Sequence, residues 1–467
     1  MRENPRPLSF HFRNPHCQAA EVPFPFQHGG DPTLIHSISA VMASPKAEGL
    51  RDPPAPAPAG LIDELLEDIF FRLPTPADLA RAAAACPTFR RIITDHSFHR
   101  RYRALHPAPL LGMIPFDLSP RQPPRPSAAV FIPAQPPHPS AALARAFAAA
   151  DFSCSFLPSP DRWLVRDFCD GRALLSSVPD GGQASEYNRR NLVSITDLAV
   201  CDPLRRRYVL LPSIPVDLVA TIHQPDMVDF QPFLAPAAED ERGTSYRVIC
   251  LAQVPNKLVL FVYSSDSGQW HAAAFDGWSK LVSGTGNPKP ESSQRHYAHG
   301  CFYWLLAEGQ KLLVFDTHSF EFSDVDLPHD PLMDNWQIID RVIIEAGEGR
   351  IGMLTLCGEY RSDKWCLWHT VLQNGGQGAE QWHAKPMIPL PTNYQYRSIL
   401  GLAGEYLLLC GLPVDKYLIN FPNGVNMDYF SLNLKTFQLE WFCEIENIGF
   451  RAKLYVGFPP SLSPPTI

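Results

Sequence analysis

The chain has 467 residues, 45% of them hydrophobic and 19% charged, with a net charge of -8. That length allows two or three domains and a sizeable core, while the acidic balance argues against general nucleic-acid binding, which needs a basic footprint. No apolar run reaches the roughly 18–20 residues that cross a bilayer, and the opening MRENPRPLSFHF lacks the apolar centre of a secretion signal. A cytoplasmic or nuclear protein with no membrane or nucleic-acid partner is expected.

Proline is dense in residues 1–59, which end in DPPAPAPAG and show no periodicity, so this stretch reads as disordered. Within it, Met42-Ala43-Ser44-Pro45 resembles an ordinary protein start, which makes residues 1–41 an expected upstream extension without a structural role. The texture changes at Leu61. Leu61, Leu65, Leu66, Ile69 and Leu73 recur at helical spacing, with a second apolar edge at Ile62, Phe70 and Phe71. Asp63, Glu64, Glu67 and Asp68 crowd the N-terminal half, where carboxylates suit the helix dipole, and Pro74 stops the helix. Thr75-Pro76 followed by Asp78 signals a new N-terminus, a second helix through Leu79, Ala82, Ala83 and Cys86. Pro87 opens a third with Phe89, Ile92 and Ile93 inward; a fourth runs from about Ser97 to Leu105 with Phe98 and Tyr102.

A lone domain of about 45 residues is marginal without a staple, a metal or another surface. Two readings follow: a helical cap packed on the next domain, or a docking module whose first helix and Leu73-Pro74 turn fill a partner's groove. Residues 60–106 resemble an F-box, through Leu65-Leu66-Glu67-Asp68-Ile69-Phe70-Phe71-Arg72-Leu73-Pro74, then Asp78-Leu79, Cys86 and Phe89-Arg90. Leu61-Ile62 stands where the family usually has Leu-Pro, and Phe89 where it usually has a Trp; both changes keep the site apolar. The resemblance implies docking on the adaptor subunit of cullin-RING ubiquitin ligases through Leu61, Ile62, Leu65, Ile69, Phe70, Leu73 and Pro74.

Residues 107–153 are again rich in proline, with RQPPRP and AQPPHP, and read as a linker; its PxxP match at Pro120–Pro123 is the kind that chance supplies in such a stretch. AALARAFAAAD, residues 141–151, reads as a short helix. From residue 154 to 455 short apolar strands alternate with polar turns: 195–215 turning at Asp202-Pro203, three strands in 247–275, then 299–328, 349–372 and 403–445. A recurrence of about 40–50 residues is the range of propeller blades; a β-sandwich with irregular insertions is the alternative. VFDTHSFEFSDVDLP and YFSLNLKTFQLEW resemble blade closes of the propeller-like domain that follows the F-box in many land-plant proteins. Residues 456–467 read as a disordered tail. The expected class is α+β, a small helical domain ahead of a mostly antiparallel β-propeller-like domain.

Chemistry-bearing constellations are absent from the sequence: no G-x-S-x-G, P-loop or H-E-x-x-H. Neither a catalytic residue nor a cofactor or metal is expected. His296 and His299 with Cys301 sit on a strand-rich segment where residues three apart face opposite ways. Asp161, Asp167 and Asp170 near Arg162 and Arg166 read as turn caps and salt bridges. The eleven Cys are scattered without a CxxC pair and read as reduced core residues. Arg205-Arg206-Arg207 reads as an exposed hairpin turn, with a grip on an acidic or phosphorylated peptide as the alternative. Trp270, Trp278, Trp304, Trp365, Trp368 and Trp382 are either wedges between blades or rim anchors. By resemblance, the first module docks on the ligase adaptor and the second chooses a protein for ubiquitylation. A non-ligase scaffold and a propeller enzyme stand as the other classes.

Overall fold

The computed structural model describes residues 62–73, 76–106, 108–116, 130–147, 150–177, 195–222, 226–236, 245–278, 295–306, 311–328, 336–359, 362, 364–374, 380–414, 426–446, 451–458 and 467. The expectations for residues 1–59, including the upstream extension, and for the stretch around Pro120–Pro123 fall outside them, as do residues 459–466 of the expected disordered tail. The tail's first residues correct that reading: Val456 ends a strand and Phe458 is buried. They form two compact units, one up to Leu105 and one from His106 onward. No helix among them is long and apolar enough to cross a membrane.

The first unit holds four helices: α1 (Asp63–Phe71), α2 (Pro76–Ala85), α3 (Pro87–Ile93) and α4 (His96–Leu105). Proline at the first position of α2 and α3 fixes φ where the missing donor costs nothing, and the Cys86 thiol accepts the Phe89 amide at the head of α3. Leu66, Phe70, Phe71, Leu79, Ile92, Ile93, Phe98 and Tyr102 are buried together. Phe71 stacks on Phe98 at 4.6 Å, and Phe70 meets Phe89 edge-on at 5.1 Å.

The second unit is a ring of six antiparallel sheets. In chain order, β1 (Leu110–Phe116) and β2 (Ile132–Pro133) come first. The first blade is β3 (Trp163–Cys169), β4 (Arg172–Ser177), β5 (Leu198–Asp202) and β6 (Arg207–Leu210). The second is β7 (Asp229–Ala235), β8 (Arg247–Val254), β9 (Lys257–Ser264) and β10 (Gln269–Phe275). The third is β11 (Arg295–Ala298), β12 (Cys301–Leu305), β13 (Lys311–Asp316) and β14 (Phe322–Asp326). The fourth is β15 (Trp336–Glu345), β16 (Ile351–Glu359), β17 (Trp365–Asn374) and β18 (Glu380–Ala384), with β19 (Ile388–Leu390) also on β17. The fifth is β20 (Tyr394–Ala403), β21 (Tyr406–Pro413), β22 (Asn426–Asn433) and β23 (Leu439–Glu446).

The sixth blade corrects the linker reading of residues 107–153. Its inner strand is β24 (Arg451–Val456), and β1 pairs antiparallel with it, Met113 opposite Leu454, with β2 outside β1. The chain's two ends of this unit therefore close the ring. Leu110-Leu111-Gly112-Met113-Ile114 is an apolar run hidden by its proline-rich setting, and the ring of Phe131 lies where a side chain at Gly112 would be. The expected short helix is there in part, at Ala141–Ala144.

One apolar cluster fills each of the six gaps between blades. Residues on successive positions of a strand feed opposite gaps, as the two-residue period of a pleated strand requires. Val248, Cys250 and Ala252 pack toward the first blade with Leu174, Val200 and Trp270, whereas Ile249 and Leu251 pack toward the third with Phe302 and Trp304. The last gap joins Leu111, Ile114 and Tyr455 of the sixth blade to Leu175 and Ala199 of the first.

Candidate functional site

α1 carries two apolar faces. Leu66, Phe70 and Phe71 point inward, 3–8% exposed, while Ile62, Leu65 and Ile69, spaced at i, i+3 and i+7, are 60%, 47% and 48% exposed. The periodicity had grouped Leu65 with Leu66; a step of 100° between neighbours separates them, and the burial follows the edge containing Phe70 and Phe71. Ion pairs from Asp63 to Arg91 (2.6 Å, α3) and from Glu67 to Arg101 (2.6 Å, α4) hold α1 to the module, and Arg101 also lies 4.5 Å over the Phe71 ring. The outer stripe is thus presented by a helix fixed from its other side. Of the seven residues expected to touch a partner, Ile62, Leu65 and Ile69 form this stripe, and Leu73 is half-buried just past the helix end. Phe70 belongs to the core and supports the stripe from beneath. Leu61 and Pro74 lie outside the described residues.

The propeller's axis holds a cavity of about 890 Å³ lined by the inner strands β3, β11, β15, β20 and β24, with Leu234 of β7 at its side. A buried carboxylate in it is held by two cations. The carboxylate of Asp167 accepts from the Arg295 guanidinium (3.0 Å), the Lys453 ammonium (2.7 Å) and the Leu234 amide (3.0 Å). Although burial opposes ionisation, these partners hold the Asp167 carboxyl below its ordinary range. Burial lowers the Arg295 guanidinium, which Asp167 offsets, and its plane lies 3.9 Å over Phe233. Sequence reasoning had Asp167 in a salt bridge, as found, but with partners far along the chain rather than its neighbouring arginines. Asp340 repeats part of the device on the fourth blade, accepting its own Arg341 amide and the Ile399 amide of the fifth. The signal available in the sequence was Asp on the inner strands of the first, second and fourth blades: Arg166-Asp167-Phe168, Val228-Asp229-Phe230 and Ile339-Asp340-Arg341.

A second recurrence marks the outer hairpins. Asp202, Asp316 and Asn433 each accept amides two and three residues on, and the fourth residue on, Arg206, Phe320 or Phe437, has φ of 53°, 58° or 54°. Arg205 and Arg206 therefore sit in a capped turn, Arg205 against Asp202 and Arg206 3.6 Å from Asp151. His299 occupies the two-residue turn after β11, near Glu345 and the Arg350 carbonyl. Among the described residues, no three His, Cys, Asp or Glu are grouped to hold a metal ion. Trp278, Trp304 and Trp270 are buried between blades, and Trp270 and Trp382 also donate across blade boundaries, to the Pro212 and Asp326 carbonyls at 2.8 and 2.7 Å.

The F-box-like family model matches residues 63–104, the span of the four helices. A comparison with curated proteins finds no match. Among solved structures, the major Malassezia sympodialis allergen Mala s 1 is 9% identical with a TM-score of 0.30, covering 62% of this chain and 79% of its own. The β-propeller domain of Myceliophteria thermophila Cps50 (Swd1) is 10% identical (TM-score 0.25; 61% and 73% covered). Sucrose-6-phosphate hydrolase from Lactobacillus gasseri is 14% identical (TM-score 0.24; 43% and 45% covered). Likenesses this weak carry no argument, and the propeller rests on its own sheet topology. The chain carries an F-box-like domain over residues 63–104 followed by an antiparallel β-propeller of six blades.

Proposed function

We propose that this chain is a substrate-recognition subunit of a cullin-RING ubiquitin ligase, its F-box-like domain docking on the adaptor and its propeller holding the protein to be modified. The observation that carries the reading is the exposed stripe of Ile62, Leu65 and Ile69 on a helix whose opposite face already completes the module's core. Fully burying each such side chain is worth roughly 1.5–3 kcal/mol, which a partner's groove supplies and the module itself does not. In this role the chain contributes proximity, and the bond-making groups sit in other subunits. Kinship of the propeller with the domain that follows the F-box in land-plant proteins belongs to the same proposal. The order of the two modules and the closes at 314–328 and 429–441 support it.

A pull-down of the purified chain with recombinant ligase adaptor, beside a version lacking residues 60–106, tests this. Binding that disappears with the deletion, and weakens at least about tenfold in Leu65→Ala/Ile69→Ala or in Leu73→Ala/Pro74→Ala, is the expected result. Equal retention of all four forms would remove the assignment.

A further inference from the structure

We infer that the outer edge of the first blade, β6, is a binding site for an extended peptide segment with apolar residues and an acidic end. β6 reads Arg207-Tyr208-Val209-Leu210, and all four residues are exposed, Tyr208, Val209 and Leu210 by 39%, 40% and 53%. Its register on β5 places Val200 opposite Val209, and the Leu211 amide donates to the Leu198 carbonyl at 2.9 Å. Alternation along an antiparallel pair then turns the amides and carbonyls of Arg207 and Val209 toward β5 and those of Tyr208 and Leu210 away from it. No strand among the described residues pairs with β6 on that outer side. Two amides and two carbonyls thus form a template for one more strand, the mode in which an extended peptide adds to a sheet.

The other blades treat their outer strands differently, and this makes β6 informative. Sheet edges are ordinarily blunted with charge or small residues. β14 exposes Ser323, Asp324 and Asp326, with Lys311 paired to both aspartates. β10 exposes Gln269, His271, Ala272 and Ala274, and β18 exposes Gln381, His383 and Ala384. Among the described outer strands β6 is alone in exposing three large apolar side chains in succession.

Charge selects the occupant. The turn that leads into β6 carries the exposed Arg206, whose pairing with Asp151 is long, and Arg207 opens the strand. A segment with Val, Ile or Thr beside Tyr208 and Leu210 and a Glu or Asp beyond its end meets apolar surface and then guanidinium. Phe156, whose ring lies 6.5 Å from that of Tyr208, widens the apolar side. A basic segment meets repulsion at the same place. This site concerns the chain alone and does not depend on adaptor docking.

The test uses the full chain and two labelled short peptides that alternate Val and Thr, one ending in Glu-Glu and one in Lys-Lys, read by fluorescence anisotropy. The Glu-ended peptide is expected to bind the wild type at least about tenfold more tightly, a difference that two charge-assisted contacts supply. Leu210→Pro removes an amide that points outward, where an edge tolerates proline, and is expected to weaken binding at least about tenfold with an unchanged melting temperature. Arg206→Glu/Arg207→Glu is expected to reverse the preference between the peptides, which keeps the site testable if Leu210→Pro lowers the melting temperature. Equal binding of both peptides by the wild type, no binding of either, or unchanged preference in the arginine variant would overturn the site. A wild-type dimer in sedimentation, lost in Leu210→Pro, would give the edge to a second copy of the chain and overturn it as well.

Discussion

The carboxylate of Asp167 receives groups from the second, third and sixth blades, so four of the six meet on one side chain. Removing one partner of a buried ion pair leaves the others uncompensated, at a cost of about 3–5 kcal/mol. Asp167→Ala is therefore expected to lower the propeller's stability sharply, whereas Asp324→Ala, which breaks an exposed pair with Lys311, lowers it by less than about 1 kcal/mol. Circular dichroism melts of the two variants make the comparison. Because the folded Asp167 carboxyl titrates below its unfolded value, its stabilisation is present above the unfolded pKa and is lost as pH falls through the folded one. Gly401 is a second sensitive position. A methyl group there would lie 2.4 Å from the Ala452 carbonyl oxygen, and backbone cannot swing aside as a side chain does. Gly401→Ala is expected to be destabilising by at least about 1–3 kcal/mol, measured by urea unfolding.

At the scale of elements, the sequence was clearest where one rule acted alone. Prolines 76 and 87 marked helix starts, and 247–275 resolved into β8, β9 and β10 because short turns separate continuous apolar runs. It was least clear at 110–147, where proline content outweighed a short apolar strand that makes sense only beside β24. The same separation hid the number of blades, since no local pattern says that residues 110–116 and 451–456 share a sheet. In α1 the apolar positions were legible, but which face would remain outside depended on where α3 and α4 pack. Within the misread stretch, His138 is buried against the fifth blade. Its Nδ1 accepts the Ser140 amide, so the neutral ring carries its proton on Nε2, 3.0 Å from the Ser431 hydroxyl. Burial lowers its pKa to about 4 despite the Glu440 carboxylate at 3.7 Å, which is one-third exposed. A neutral folded histidine and a protonated unfolded one make the fold weaken as pH falls from about 6.5 toward 4, by up to about 3 kcal/mol. His138→Gln is expected to flatten the dependence of the urea midpoint on pH between those limits; an unaltered slope would assign the acid sensitivity elsewhere.

For the molecule as a whole, the closure of the ring by β1 sets where it can be cut. A chain starting at residue 107 keeps every blade and is expected to unfold in one cooperative transition. One starting at residue 134 lacks β1 and β2, exposes the edge of β24, and is expected to lose that transition and precipitate. Differential scanning calorimetry separates the two. The same closure imposes an order on biosynthesis. Every residue of the F-box-like helices and of β1 leaves the ribosome before β3 is made, and at 5–20 residues per second roughly 20–70 s pass before β24 follows. All four helices have been made by then. Leu110, Leu111, Met113 and Ile114 must wait for a partner strand that has yet to be translated. During that interval the nascent chain carries a complete set of F-box-like helices and an unclosed propeller, whose unpaired strand is the one part still waiting for its neighbour.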